Sequence, residues 1–271
     1  MSGDEEKPPL GRHESDDEEE ENLAEGTLIS HLVELRSRLV KAILGVLVVF
    51  ACMVPFYQRI FTLVAKPLTD VLPQDAQLIV TRIAAPFLTP FKTTLFVALF
   101  AAMPIVLYQV WQFVAPGLYR KEKRFAIPLL VSSIVLFYLG VAFAYFVVFR
   151  LAFRFFIGVT PANVVNMPDI DEYLSFVLTI FFAFGLAFEV PIATVILIWS
   201  RLTTIQTLSK ARPYVFLGAF VVGMFLTPPD MFSQTLLALP IYVLYESGLI
   251  FSRILLREQL QRQREQSGAD V

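Results

Sequence analysis

One cysteine and two histidines among 271 residues remove several chemistries at once. Cys52 lies inside a long apolar run, so the chain can close no internal disulfide. His13 stands in an acidic opening and His31 ahead of the first apolar segment, so neither an HExxH zinc site nor an intramembrane Ser/His pair can be built. No lysine follows the glycine spacing of a phosphate-binding loop. These absences leave an enzyme reading with little to stand on, and no catalytic residue, metal, cofactor or nucleic-acid partner is expected. Any work the chain does must be driven by a partner or an ion gradient.

Apolar residues are what the chain has in excess. They make up 56% of it, with 26 phenylalanines, more than a soluble domain of this size buries. The fold class expected is all-α, a polytopic membrane protein. Charge is divided unevenly: eleven acids lie within Asp4 to Glu25 beside only Lys7 and Arg12. Beyond Glu25, 20 basic residues face 13 acidic ones, out of the 22 and 24 in the chain. The acidic opening, residues 1–25, has almost no apolar residue and is expected to be disordered. It resembles neither a secretory signal nor an Arg-rich transit peptide.

Six segments between ionisable residues are long or apolar enough to be spans: 39–57, 92–120, 124–150, 173–200, 214–227 and 231–252. They place a transmembrane domain at 26–253, followed by a polar tail at 254–271. Counting Lys and Arg on alternate sides gives 16 on the side of both termini and 6 on the other, so both termini are expected in the cytoplasm. In the first outer loop Ile60, Phe61, Leu63, Val64 and Leu68 recur at helical spacing, which predicts a short helix along the membrane surface, broken up by prolines 67, 73, 86 and 90. With the second outer segment it could form a cap. The fifth span has about 14 residues before Pro228 and Pro229, or roughly 21 Å against a hydrocarbon core of about 30 Å. Prolines 104, 128, 191 and 240 within other spans make bent helices and a concave shape plausible.

The stretch HLVELRSRL, His31 to Leu39, combines a stripe of Leu28, Leu32, Leu35 and Leu39 with a polar ridge of His31, Glu34, Arg38 and Lys41. Glu34 and Arg38 are spaced to pair, and Arg36 points to nearly the opposite face. These charges can simply anchor the first span. Alternatively Glu34, with Glu122 in the basic loop YRKEKR, can take arginines from an incoming peptide through bidentate bonds. Glu189 is the most costly residue, a carboxylate near the middle of its span. It is either functional or a protonated bond between helices, with neither reading preferred. Glu246 is expected to pair with Arg253. Thr227, Asp230 and Gln234 cluster at the hairpin of spans five and six, as turn polarity or as a dock for a partner's transmembrane helix.

HLVELRSRL, YQVWQFVAPGLYRKEKR at 108–124, SFVLTIFFAFGLAFEVP at 175–191 and RPYVFLGAFVVGMFLTPPDMFSQ at 212–234 together resemble the TatC family, receptor subunits of the twin-arginine protein translocase. The resemblance covers about residues 26–253. It implies a concave six-helix bundle in the bacterial cytoplasmic (inner) membrane, exporting folded proteins with the proton-motive force. It also implies recognition of twin-arginine signal peptides through Glu34, Arg36, Phe113 and Glu122. Glu189, Met224, Thr227 and Gln234 would meet single-span TatA-like and TatB-like partners in a multimeric complex surrounded by membrane lipid. Pro67 and Asp230 match outer-loop structural positions. Phe113, Pro67 and Met224 rest on the resemblance alone. Two other readings compete: a proton-coupled solute transporter using Glu189, and a passive scaffold for other membrane proteins.

Overall fold

The computed structural model describes the backbone of residues 14–69, 79–114, 126–159, 167–200, 202–226 and 230–268. Among these the fold is all-α, and the only strand-like pairing is an isolated parallel bridge between Ile79 and Asp169. Five stretches are long and apolar enough to cross a membrane: Leu32–Lys66, Ala85–Val114, Ile127–Phe156, Ile170–Trp199 and Met231–Leu255. A sixth apolar helix, Arg212–Leu226, is shorter.

Helix α1 (Glu14–Met53) passes through a 3-10 turn at Val54–Phe56, where Pro55 interrupts the ladder, into α2 (Tyr57–Thr69). Part of the acidic opening is therefore helical backbone from Glu14 onward. Glutamate is a good helix former, and a helix already nucleated by the span extends without a second nucleus. The surface helix expected in the first outer loop is α2. Pro67 does not break it but sits within its last turn, where few carbonyls depend on its missing N–H. Phe61, Val64 and Ala65 of α2 pack on a core of Phe149, Tyr173, Leu174 and Val177, so α2 is held against the bundle.

The remaining helices are α3 (Ala85–Val114), α4 (Ala126–Phe143), α5 (Arg150–Val159), α6 (Ile170–Ala187), α7 (Val190–Trp199), α8 (Ile205–Lys210), α9 (Arg212–Leu226) and α10 (Met231–Gly268). A π-helical stretch, Ala144–Phe149, joins α4 to α5. The spans pack antiparallel, as their contacts show. Along α3, Phe100 accepts a bond from Tyr138 and Trp111 bonds Ser133, in reverse order along α4. Gly140 and Phe137 of α4 meet Phe184 and Gly185 of α6 in the same reversed sense.

The fourth span is not one continuous helix. α6 ends at Ala187 and α7 begins at Val190, with Phe188 and Glu189 in a turn between them. Pro191 is the cause: it has no N–H to give the carbonyl four residues back, and its ring crowds that carbonyl. The short fifth span is confirmed as α9, whose 15 residues reach only about 22 Å.

Close approach depends on glycine at two crossings. A side chain at Gly140 would meet the backbone carbonyl carbon of Phe184 at 3.0 Å, and one at Gly248 would meet the Cα of Pro191 at 2.8 Å. Backbone cannot give way as a rotamer can. Gly140→Val should cost about 1–3 kcal/mol of overpacking, read as a lowered melting temperature in detergent. Gly158→Ala, which meets nothing within 4 Å, should leave that temperature unchanged or slightly raised; equal melting of the two variants would refute the assigned α4–α6 contact.

Candidate functional site

At the end of the bundle that carries the amino terminus, Arg38 Nη2 donates to Glu34 Oε1 at 3.3 Å, the pairing the spacing predicts. Both side chains are partly exposed, so the pair contributes at most about 0.5 kcal/mol and leaves Glu34 free to exchange partners. Arg36 is exposed on another face, and Leu32, Leu35 and Leu39 form an uncovered apolar stripe. Gly45 of α1 lies against Ile105 of α3. Since the two helices run antiparallel, Glu34 sits about 16 Å and Phe113 about 12 Å from that contact in the same direction. The structure thus brings Glu34, Arg36 and half-buried Phe113 to one end. Glu122 lies outside the described residues.

Glu189 is half-buried at the N-cap of α7, about 15 Å from the end of its span at Trp199. It is displaced from the middle toward the amino-terminal side. Its Oε1 has no hydrogen-bond partner, and the Ser133 side chain of α4 stands beside the carboxylate. Ser133 Oγ in turn accepts from Trp111 Nε1 of α3 at 3.1 Å. Both residues are buried, so three spans converge on one acid through a short polar chain. The break at Pro191 puts this residue at the N-cap of α7, directly after the C-cap of α6, and its side chain makes no capping bond.

The other candidates gather at the opposite end. Asp230 caps α10, its Oδ1 accepting from Ser233 N at 2.7 Å, while its Oδ2 and the Ser233 hydroxyl have no partner. Gln234 Nε2 donates to the Phe220 carbonyl of α9 at 2.8 Å and packs on Gly223. That bond staples the short helix to α10. Met224 is exposed on α9 with Leu217, Val221 and Phe225, an apolar face without protein cover. Pro67 belongs to α2 at this end, but its side chain lies outside the described residues, as does Thr227 entirely.

Two polar clusters were not read from the sequence. Glu246 does not pair with Arg253: two helical turns, about 10 Å, separate them. Instead Arg212 of α9 brings Nε to 2.6 Å from Glu246 Oε1 and donates Nη2 to Oε2 at 2.8 Å, with Tyr242 OH donating at 3.2 Å. An acid inside a span and an arginine at the start of the short helix packed on it were the available signal. At the end opposite the amino terminus Asp169 Oδ2 accepts from the Thr81 amide at 2.9 Å and hydroxyl at 2.5 Å, and its Oδ1 accepts from the amides of Asp171 and Glu172. Beside it Asp171 takes Lys92 and Thr89 at 3.0 Å each, and Lys92 also bonds Ser175. The cap expected from two outer segments is this clasp.

A family model described as Sec-independent protein translocase protein (TatC) matches residues 30–240. The chain belongs to the TatC family. The Sec-independent protein translocase protein TatC of Azotobacter chroococcum is 57% identical over 233 residues, covering 86% of this chain and 91% of that one. Its Escherichia coli K12 counterpart is 55% identical over 226 residues, 83% and 88% of the two chains. A crystal structure of the twin-arginine translocase receptor TatC aligns with a TM-score of 0.76 at 38% identity, covering 83% of this chain and 98% of that one. As a TatC family member the chain is a multi-pass membrane protein and a translocase component, a transport protein rather than an enzyme. The matched residues hold every candidate position within the TatC-like region, from Glu34 in α1 to Gln234 in α10.

Two outcomes follow from the geometry at this end. The Thr81 hydroxyl above all, with the amides of Thr81, Asp171 and Glu172, holds the Asp169 carboxyl down at about 2 from its ordinary 3.8, against the opposing effect of desolvation. A depressed acid stabilises the fold above its unfolded pKa and loses that contribution as pH falls through the folded one. Amide exchange at Ile79 and Thr81 should therefore be slow above about pH 4, after correction for intrinsic rates, and rise toward pH 2. Asp169→Asn should speed it at neutral pH, and unchanged exchange would remove the clasp. Gln234→Leu should lose about 1 kcal/mol through the bond to Phe220, measured as lowered thermal stability in detergent.

Proposed function

We propose that this chain is the twin-arginine signal-peptide receptor and core component of a Tat translocase. It exports folded proteins across a bacterial cytoplasmic membrane at the expense of the proton-motive force. The observation that carries this reading is the likeness to the solved twin-arginine translocase receptor over 83% of the chain. Both termini face the cytoplasm, as the excess of Lys and Arg on their side supports. Residues 26–253 form the working domain, between the acidic extension at 1–25 and a polar cytoplasmic tail at 254–271.

The arginine pair of the signal peptide docks on Glu34 and Glu122, with Arg36 and Phe113 at the same rim, and its apolar part then enters the bundle. What supports Glu34 in this role is its exposure and its weak, exchangeable bond to Arg38. An arriving guanidinium offers a two-pronged bond in place of a single contact. The chain works in a complex with other Tat subunits. TatA-like and TatB-like single-span partners gather along Glu189, Met224, Thr227 and Gln234, supported by the uncovered apolar face of α9 and the partnerless oxygen of Glu189. Because α9 spans only about 22 Å, bilayer deformation is greatest there.

Equilibrium binding of a twin-arginine peptide and its twin-lysine counterpart to the purified chain tests the site. Arginine should be preferred at least tenfold, with Glu34→Gln and Glu122→Gln each abolishing most of the preference, about 1.4 kcal/mol or more. Binding should weaken as salt rises, because these charges stand near water. Equal affinity for both peptides, untouched by either substitution, would discard the assignment.

A further inference from the structure

Two adjoining hollows on the outer side of the bundle have no place in the recognition of a signal peptide at the opposite end. The larger, about 510 Å3, is lined by Leu63, Val64 and Lys66 of α2, Tyr145 and Phe149 of the π-helical stretch, and Tyr173, Val177 and Phe181 of α6. The second, about 420 Å3, is lined by Gln58, Arg59, Thr62, Leu63 and Lys66, so Leu63 and Lys66 are walls of both. Volumes of this size fall within the roughly 300–1,000 Å3 of sites that hold small amphiphiles.

Their chemistry is split along α2. Arg59, Thr62, Leu63 and Lys66 recur at spacings of three, one and three and share one exposed stripe of the helix. That helix contains no acidic residue, and Arg59 has no ion pair among the described residues. The larger hollow is walled by aromatic and branched side chains. There the wider π turn sets the Tyr145 and Phe149 rings parallel, 6.4 Å between centroids. Tyr173 contributes a hydroxyl with no hydrogen-bond partner although the residue is only 6% exposed, a group whose desolvation costs about 1–3 kcal/mol. Tyr173, Val177 and Phe181 lie about 5, 11 and 17 Å into their span from its outer end at Ile170, at acyl-chain depth.

We propose that these hollows are one binding site for an anionic phospholipid of the outer leaflet. The phosphate sits against Arg59 and Lys66 with Thr62 and Gln58 beside it, and an acyl chain fills the cavity walled by Phe149, Val177 and Phe181. Tyr173 stands at the level of the glycerol ester, whose carbonyl can accept its hydroxyl. Cationic rim, polar step and apolar pocket follow one another in the order of a phospholipid's own parts. The occupant so held wedges α2 against α6 and fills space between the outer loop and the core. The site stands apart from signal-peptide recognition and shares with the receptor reading only the orientation that puts both termini in the cytoplasm.

Native mass spectrometry of the full chain in detergent tests this with phosphatidylglycerol, a diacylglycerol of the same chains, and glycerol 1-phosphate. One phosphatidylglycerol should be retained per chain, the diacylglycerol should bind at least fivefold more weakly, and glycerol phosphate should not displace the lipid. The double variant Arg59→Gln, Lys66→Gln, on an exposed face that leaves the core untouched, should lose at least fivefold in phosphatidylglycerol binding. Val177→Phe, which fills the cavity, should lose a similar factor with the charges intact. Should that variant fail to fold, the exposed double variant decides alone. Equal retention by the double variant and the wild type overturns the proposal. So does displacement by glycerol phosphate alone, which would mark a headgroup-only site. One-for-one displacement by a twin-arginine peptide, with lipid binding indifferent to the double variant, assigns the cavity to the peptide and equally ends the proposal.

Discussion

Inside a bilayer a backbone carbonyl that loses its partner cannot turn to water, so an interrupted helix has to be sheltered by protein. The break at Phe188 and Glu189, imposed by Pro191, is the point on which much of this bundle depends. α10 seals one side through Gly248, close against Pro191 and Thr194. α4 supplies Ser133 on another, and α3 reaches the same place through Trp111. A single proline thus explains why an acid stands at a helix break and why a glycine is needed opposite it.

Elsewhere the polar groups are pushed to the two ends and serve different purposes. At the amino-terminal end they are exposed and loosely paired, as Glu34 and Arg38 are, which suits a surface that exchanges partners. At the opposite end Asp169 and Asp171 collect many short bonds from residues some 80 positions away in the chain, which suits a fixed closure between loops. The TatC fold in this chain combines a yielding face with a fastened one. α2 belongs to the fastened side, where Arg59 and Lys66 line the rim of a cavity.

Much of this was legible beforehand. Span number, the shortness of α9, the surface helix α2 and the Glu34–Arg38 pair all follow from local periodicity and spacing, because a helix satisfies its own backbone and its face is set by 3.6 residues per turn. Glu34, Arg36 and Phe113 fall at one end and Met224, Asp230 and Gln234 at the other, as the alternation of spans requires, while Glu189 lies between them. What was misjudged depended on distance through space. Arg253 looked like the partner of Glu246 because it is near in sequence, whereas Arg212 is near in the fold. Pro67 looked like a breaker, yet at the last turn of α2 its missing N–H matters little.

Composition and pattern by themselves determined that this is an all-helical membrane protein with its charges at the water boundaries, since lipid allows few other arrangements. The long motifs determined its family. Only the tertiary structure decided that Glu189 caps a new helix at a break in its span, that Asp169 fastens the two loops together, and that Tyr173 comes to line a cavity beside Lys66. Each of these depends on which helix packs against which, and in a bundle whose spans are all similarly apolar, that choice rests on the close fit of glycines, prolines and rings that no one segment contains.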